Sequence, residues 1–344
     1  MSPSTSCSLR RSRGRFVVTI AAAVVVTLAS CSSSPDQTKP DEPKPKATPT
    51  APAPSVDPTR LRTVEDARVE VPDEPDWLTT GFGSMWALRG NGSVVRLSPR
   101  GKIQARIDPE LYQPPPCQGI GVSDNAVWAC ATPGTIMRID PTTNEVAARI
   151  EVPKINEQGR LPSSGDQLWL LTGDGDRLAG LSEKTHRLGD PIELGTFCTD
   201  VADRVDGSTL WVVCASEGVL LRVDLETRKV TGKVTDLPLA ASVSVGEDVW
   251  VGFEKGLARV DPSSLDVTML QEAVTPDRIR AVGDHVWVRE EGGEAFLSRV
   301  DAASAEVVQV IAADDLTSGG DVIEFEGAVW ATSYDDLTVV KLTP

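Results

Sequence analysis

The chain has 344 residues, with 34 Lys and Arg against 50 Asp and Glu, and a formal charge of −16. That balance excludes a nucleic-acid binder, which would carry a basic patch, and the 40% apolar fraction excludes a chain disordered throughout. Only 2 His and 2 Tyr are present, which narrows the metal and acid–base chemistry open to it.

The N-terminus reads as an export signal. Arg10, Arg11, Arg13 and Arg15 form a basic start, and Phe16 to Ala29 is an uncharged run. That run is long enough for a signal core and too short to span a bilayer. It ends in Leu28-Ala29-Ser30-Cys31, which resembles the lipobox of bacterial lipoproteins. The resemblance implies removal of residues 1–30 and acylation of Cys31. Several buried acyl chains hold a protein to a membrane without a spanning helix. The expected location is the cell membrane, facing outside the cytoplasm. Arg10-Arg11 raises twin-arginine export, but the residues that follow fit that pattern poorly. Residues 31–60 are the expected tether, since 32–60 hold eight prolines and no aromatic residue. Such a segment favours extended polyproline II and buries no core. Loss of residues 1–30 removes four Arg and no acid, leaving a charge of −20.

Residues 61–344 form the expected folded domain. Trp recurs at 86, 128, 169, 211, 250, 287 and 330, a period near 40 that signals an array of supersecondary units. A polar turn precedes each Trp, and an apolar–Trp–apolar strand follows the turn. A second signature comes later in each repeat: VVRLSP at 94–99, IMRIDP at 136–141, LLRVDL at 220–225, LARVDP at 257–262 and LSRVDA at 297–302 are examples. Four short strands per repeat, seven times, predict an all-β, seven-bladed β-propeller. The last repeat reaches Pro344 after its third strand. Ala67-Arg68-Val69-Glu70-Val71-Pro72 nearly duplicates the fourth strand of the second repeat, Ala148-Arg149-Ile150-Glu151-Val152-Pro153. The N-terminal strand is therefore expected to complete the last blade and remove the open edge.

Gly119-Ile120-Gly121-Val122, Ala126-Val127-Trp128-Ala129 and Met137-Arg138-Ile139-Asp140-Pro141 resemble the repeats of YVTN-type and virginiamycin B lyase-like propellers. The likeness covers residues 63–344. It implies architecture rather than activity, because propellers host enzymes, binders and scaffolds alike.

Four cysteines remain beyond Cys7 and Cys31. In an exported domain they are expected as disulfides. Three pairings exist in principle. The propeller register selects Cys117–Cys130 and Cys198–Cys214, each straddling the hairpin between first and second strands. Loops this short would stabilise by roughly 3 kcal/mol each. A metal or redox role is disfavoured, because neither pair has CxxC spacing or a nearby His.

Function is sought where the repeats differ. The seven repeat Trp and the basic residues Arg96, Arg138, Arg222, Arg259, Arg299 and Lys341 recur equivalently, so they are read as packing. The candidate ligand-binding residues are Trp77, Arg89, Arg160, Arg278, Arg280, Arg289 and Tyr334, in loops expected at one mouth of the channel. Trp77 would offer a stacking platform or cap blade 1, and the Arg residues would draw in an anion or form surface ion pairs. Asp174, Asp176, Asp335 and Asp336 raise a divalent-cation site, though the twelve-residue calcium loop is absent. His186 and His285 are placed in turns away from the channel mouth and read as solvated. No catalytic residue is assigned. The expected function is a monomeric, membrane-anchored binding or scaffold module for an envelope protein, peptide or small ligand. The alternative is a lyase or hydrolase using carboxylates and a divalent cation.

Overall fold

The computed structural model describes residues 56–343, apart from 110–117, 133, 153–154, 157, 272–273, 293 and 317–318. The expected signal segment, Cys31, Cys117 and most of the tether lie outside the described residues. The described chain folds into seven antiparallel sheets arranged as a seven-bladed propeller. The first strands are Pro75–Gly81, Ile120–Val122, Ser163–Ser164, Asp200–Val201, Ala240–Val245, Pro276–Val282 and Val322–Phe325. From blade 4 round through blade 7 and blade 1 to blade 2, neighbouring first strands contact one another, so these strands line the axis.

Each second strand carries the repeat Trp into the space between blades. Six of the seven are at most 1% exposed, and Trp169 is also buried. Loss of one such ring typically costs about 3–5 kcal/mol. The third-strand cation faces the Trp across the pair: Trp86 opposes Arg96, Trp128 opposes Arg138, Trp211 opposes Arg222, and Trp250 opposes Arg259. The guanidinium then reaches the next blade. Arg96 donates to the Pro141 carbonyl at 2.6 Å, Arg222 to Pro262 at 2.7 Å, and Arg259 to Ala302 at 3.0 Å. Blade 3 departs from this pattern, with Gly180 opposite Trp169.

The Asp that closes the third-strand signature has an equally local cause. Its carboxylate accepts N–H bonds from the turn that follows, as Asp140 does from Thr142 and Asp261 from Ser263 and Ser264. Asp224 and Asp301 repeat the arrangement. The turn then ends on a left-handed residue: Asn144, His186, Arg228, Leu265 or Ala305. His186 thus has a geometric role, at φ 55° and exposed.

The ring closes as expected. The N-terminal strand Glu65–Glu70 pairs antiparallel with Thr338–Leu342, placing Ala67 opposite Lys341. Its internal counterpart places Ala148 opposite Arg138, and both strands carry an irregularity just before that alanine. The clasp also extends further than expected. Thr59–Arg60 adds a parallel fifth strand to blade 6, and the single turn Leu61–Val64 crosses from there to blade 7. Leu61 is buried with Phe296, Leu297 and Ile311 of blade 6 and Val340 and Leu342 of blade 7.

Candidate functional site in the channel

The first strands start with polar residues that an ordinary sheet core would not bury. In blade 1, Asp76 precedes Trp77; in blade 4, Asp200 opens the strand and Asp203 follows it. In blade 6, Asp277, Arg278 and Arg280 occupy one strand, and in blade 7 Asp321 stands just ahead of Val322. Arg160 lies on the approach to blade 3, where it forms a bridge with Ile120.

These groups meet across the axis. Arg160 holds Asp321 through both guanidinium ends, one of them at 2.7 Å. Leu78 N and Val322 N complete the shell of Asp321 at 2.9 and 2.8 Å. Arg280 pairs with Asp203 at 3.0 Å and lies 3.7 Å from Asp321. Blades 3 and 7, and blades 4 and 6, are not neighbours, so these pairs bridge the channel. Trp77 is 2% exposed, with the Arg160 guanidinium 4.8 Å and that of Arg278 4.3 Å from its ring. Cation–π contacts in such desolvated settings contribute roughly 1–2 kcal/mol each. The ring also demands Gly159, where a Cβ would fall 1.8 Å from the indole.

Burial sets the electrostatics of this plug. Desolvation pushes the Asp76 carboxyl up to about 7, against the pull of Arg278. It also raises that of Asp200, although Arg278 and Arg160 oppose it. For Asp321 burial works the same way, but Arg160 and Arg280 outweigh it and hold the carboxyl below its ordinary value. Arg280 is lowered, first by burial and then by the neighbouring Arg160 charge.

A cavity of about 300 Å³ opens beside the plug. Its walls are the later halves of first strands, including Leu78, Thr80, Val122 and Ile323, with Arg160, Arg280 and Asp203 on the plug side and Arg204 exposed. It therefore faces the end of the channel formed by the first-to-second strand turns. The sequence led us to the opposite mouth.

The ring of four-stranded blades with its crossed axis can now be set beside known structures. It shares the fold of virginiamycin B lyase. The likeness to virginiamycin B lyase from Staphylococcus aureus has a TM-score of 0.63 at 14% identity, covering 81% of this chain and 98% of that one. A catalytically inactive variant of that lyase with quinupristin matches equally. The Neurospora crassa Pan2 WD40 domain matches with a TM-score of 0.64 at 11% identity, over 81% of this chain and 95% of the domain. No protein-family model and no curated protein matches the sequence.

On this propeller frame, four of the seven candidate residues converge: Trp77, Arg160, Arg278 and Arg280. They differ from the surface ion pairs and blade cap weighed from sequence, because three of them are nine-tenths buried or more. The other three hold the frame. Arg89 is buried, with Nη1 on Asp73 at 2.7 Å and Nη2 on Asp108 at 3.2 Å. Arg289 lies over the Phe296 ring at 4.0 Å and donates to the Thr332 carbonyl across the blade boundary, and burial presses it down to about 10. Tyr334 donates to Glu74 at 2.9 Å; burial, with Glu74 adding to it, raises its hydroxyl to about 12.

Cys198 and Cys214 are joined as expected. Cys130 is disulfide-bonded, and its expected partner Cys117 lies outside the described residues. Among the described residues no group of three His, Cys, Asp or Glu could hold a metal ion, so Asp174, Asp176, Asp335 and Asp336 are not gathered into one. His285 corrects the solvated reading. Its Nε2 meets Glu324 at 2.6 Å, and the same Glu324 oxygen accepts from Trp287 at 2.5 Å, so His285 ties blade 6 to blade 7. The sequence reading missed the acids. Asp76, Asp200, Asp277 and Asp321 each precede a repeat Trp by nine to eleven residues, a spacing visible in the sequence.

Proposed function

We propose that this protein is a binding propeller, tethered through Cys31 outside the cytoplasmic membrane, that takes a small ligand in the channel cavity. One observation carries the reading: side chains of opposite charge, differing in type from repeat to repeat, converge from five repeats on the axis beside an open cavity. Repeated packing recurs in every blade, whereas a ligand breaks the symmetry. The cavity volume lies at the lower end of the range for small-molecule pockets, roughly 300–1,000 Å³. The lipobox and the Pro-rich tether support the location.

The lyase alternative draws on the shared fold, and a fold alone does not carry an activity. Neither His186 nor His285 lines the cavity, which favours binding over acid–base catalysis. Two measurements test the proposal. Cys31→Ser should move the protein from the membrane to the soluble fraction; continued membrane fractionation would remove the anchor. A fragment set screened by thermal shift should contain stabilising ligands whose effect disappears in Thr80→Phe, which fills the cavity. Ligands that stabilise both forms equally would move the site elsewhere.

A further inference from the structure

The channel cavity is lined by one guanidinium whose hydrogen bonding the protein leaves incomplete. Arg280 is 9% exposed, and its guanidinium is fixed on two sides. Nε donates to the Val322 carbonyl at 3.3 Å and Nη1 to Asp203 at 3.0 Å. Nη2 is buried, makes no hydrogen bond within the protein, and stands 3.7 Å from Asp321. Asp321 is already satisfied by Arg160 and two backbone N–H groups, so it has little left to give Arg280. A buried cationic donor left in this way costs more than an ordinary unmade hydrogen bond, and the group best able to satisfy it is an anionic oxygen.

The charges around the cavity point the same way. Three Arg line it, Arg160, Arg204 and Arg280, against the single acid Asp203. Arginine thus outnumbers acid on the cavity's own wall, inside a protein that is otherwise strongly acidic. Guanidinium donors on a wall that also carries apolar surface suit a carboxylate borne on a carbon body. The rest of the wall is mixed: Leu78, Val122, Leu161 and Ile323 give apolar surface, and Thr80 and Ser163 add hydroxyls. Burial and then Arg160 lower the basicity of Arg280, against the pull of Asp203 and Asp321.

We infer that the ligand of this cavity is a small monocarboxylate with an apolar body, its carboxylate bound by the Arg280 guanidinium and its body against the apolar part of the first-strand wall. The inference rests on the proposed binding role and names its ligand class. Arg204, exposed at the opening, is the second cation an entering carboxylate meets.

The test is calorimetric titration of the full chain in detergent with 4-methylpentanoate and with its uncharged amide. The acid should bind at least about tenfold more tightly, the difference a charge-assisted hydrogen bond makes. In Arg280→Gln the preference should collapse, while Arg280→Lys should keep part of it. Asp203 retains Ser244 Oγ at 3.0 Å and Val245 N at 3.2 Å, so the Gln variant should still fold; a thermal melt checks this. If it does not, Arg204→Gln should reduce the preference for the acid, and an unchanged preference would count against the inference. Equal binding of acid and amide, both blocked by Thr80→Phe, would overturn the monocarboxylate and leave the binding role standing. Failure of both probes would overturn the monocarboxylate too. Only failure of the wider fragment set as well would remove the binding role.

Discussion

Asp321 is the residue on which the plug depends. It is fully buried, and both its oxygens are claimed by Arg160 and by backbone N–H groups. Replacing it by Asn removes the charge but leaves Arg160 buried at the axis. Breaking a buried pair on one side typically costs about 3–5 kcal/mol, whereas replacing both partners by apolar groups is often neutral. Asp321→Asn should therefore lose stability in that range by urea unfolding, and Asp321→Asn with Arg160→Met should recover much of it. Equal losses in the two would mean that the pair does not act as a unit. The same residues show what a single sequence discloses. Trp77, Arg160, Arg278 and Arg280 stood out because they interrupt a repeat. Asp321 did not, because Asp also ends third strands and fills turns throughout this chain. Which Asp is buried depends on what crosses the axis, and that is a contact between residues 161 positions apart.

At the scale of elements the repeat was legible because each of its letters has a local cause. Trp fills the space between blades, Arg latches to the next turn, and Asp caps its own. The closing strand was legible because it copies an internal fourth strand, down to the alanine opposite the cation. Thr59–Arg60 and the turn at Leu61–Val64 were not, because two residues joined to another blade repeat nothing. Leu61 is the pin of this clasp, 2% exposed between blades 6 and 7. Leu61→Ala should cost about 2–4 kcal/mol. Amide exchange should rise in both Glu65–Glu70 and Thr338–Leu342, the two partners of the closing pair. A rise confined to 59–64 would show that the clasp and the closing strand are independent. Blade 4 presents a related case. Its first strand spans only Asp200–Val201, and Cys198–Cys214 secures it to the second. A loop of that length is worth roughly 3 kcal/mol. Replacing both cysteines by Ser should lower the unfolding midpoint accordingly and leave the secondary-structure signal of the folded protein unchanged.

For the whole molecule, the ring unites two sets of carboxylates that respond to pH in opposite senses. In the turns, Asp140, Asp224, Asp261 and Asp301 have pKa values lowered by the backbone N–H groups they accept. Their contribution is present above the ordinary Asp value and is lost as pH falls through the depressed one. In the plug, burial raises Asp76 from 3.8 to about 7, and Asp200 shifts the same way. Between those two pH values the unfolded chain has released the Asp76 proton and the folded chain keeps it. Stability from this group is thus present below about pH 4 and is lost as pH rises through about 7. Between pH 5 and 8 the turn carboxylates are ionised in both states, so the plug carboxyls and not these contribute to the slope. The urea midpoint should fall from pH 5 to pH 8. Asp76→Asn cannot ionise, so it should flatten that fall and gain stability over the native chain chiefly at pH 8. A variant with the native slope would assign the pH dependence elsewhere, and a midpoint that rises over this range would mean that Asp76 is ionised in the folded ring.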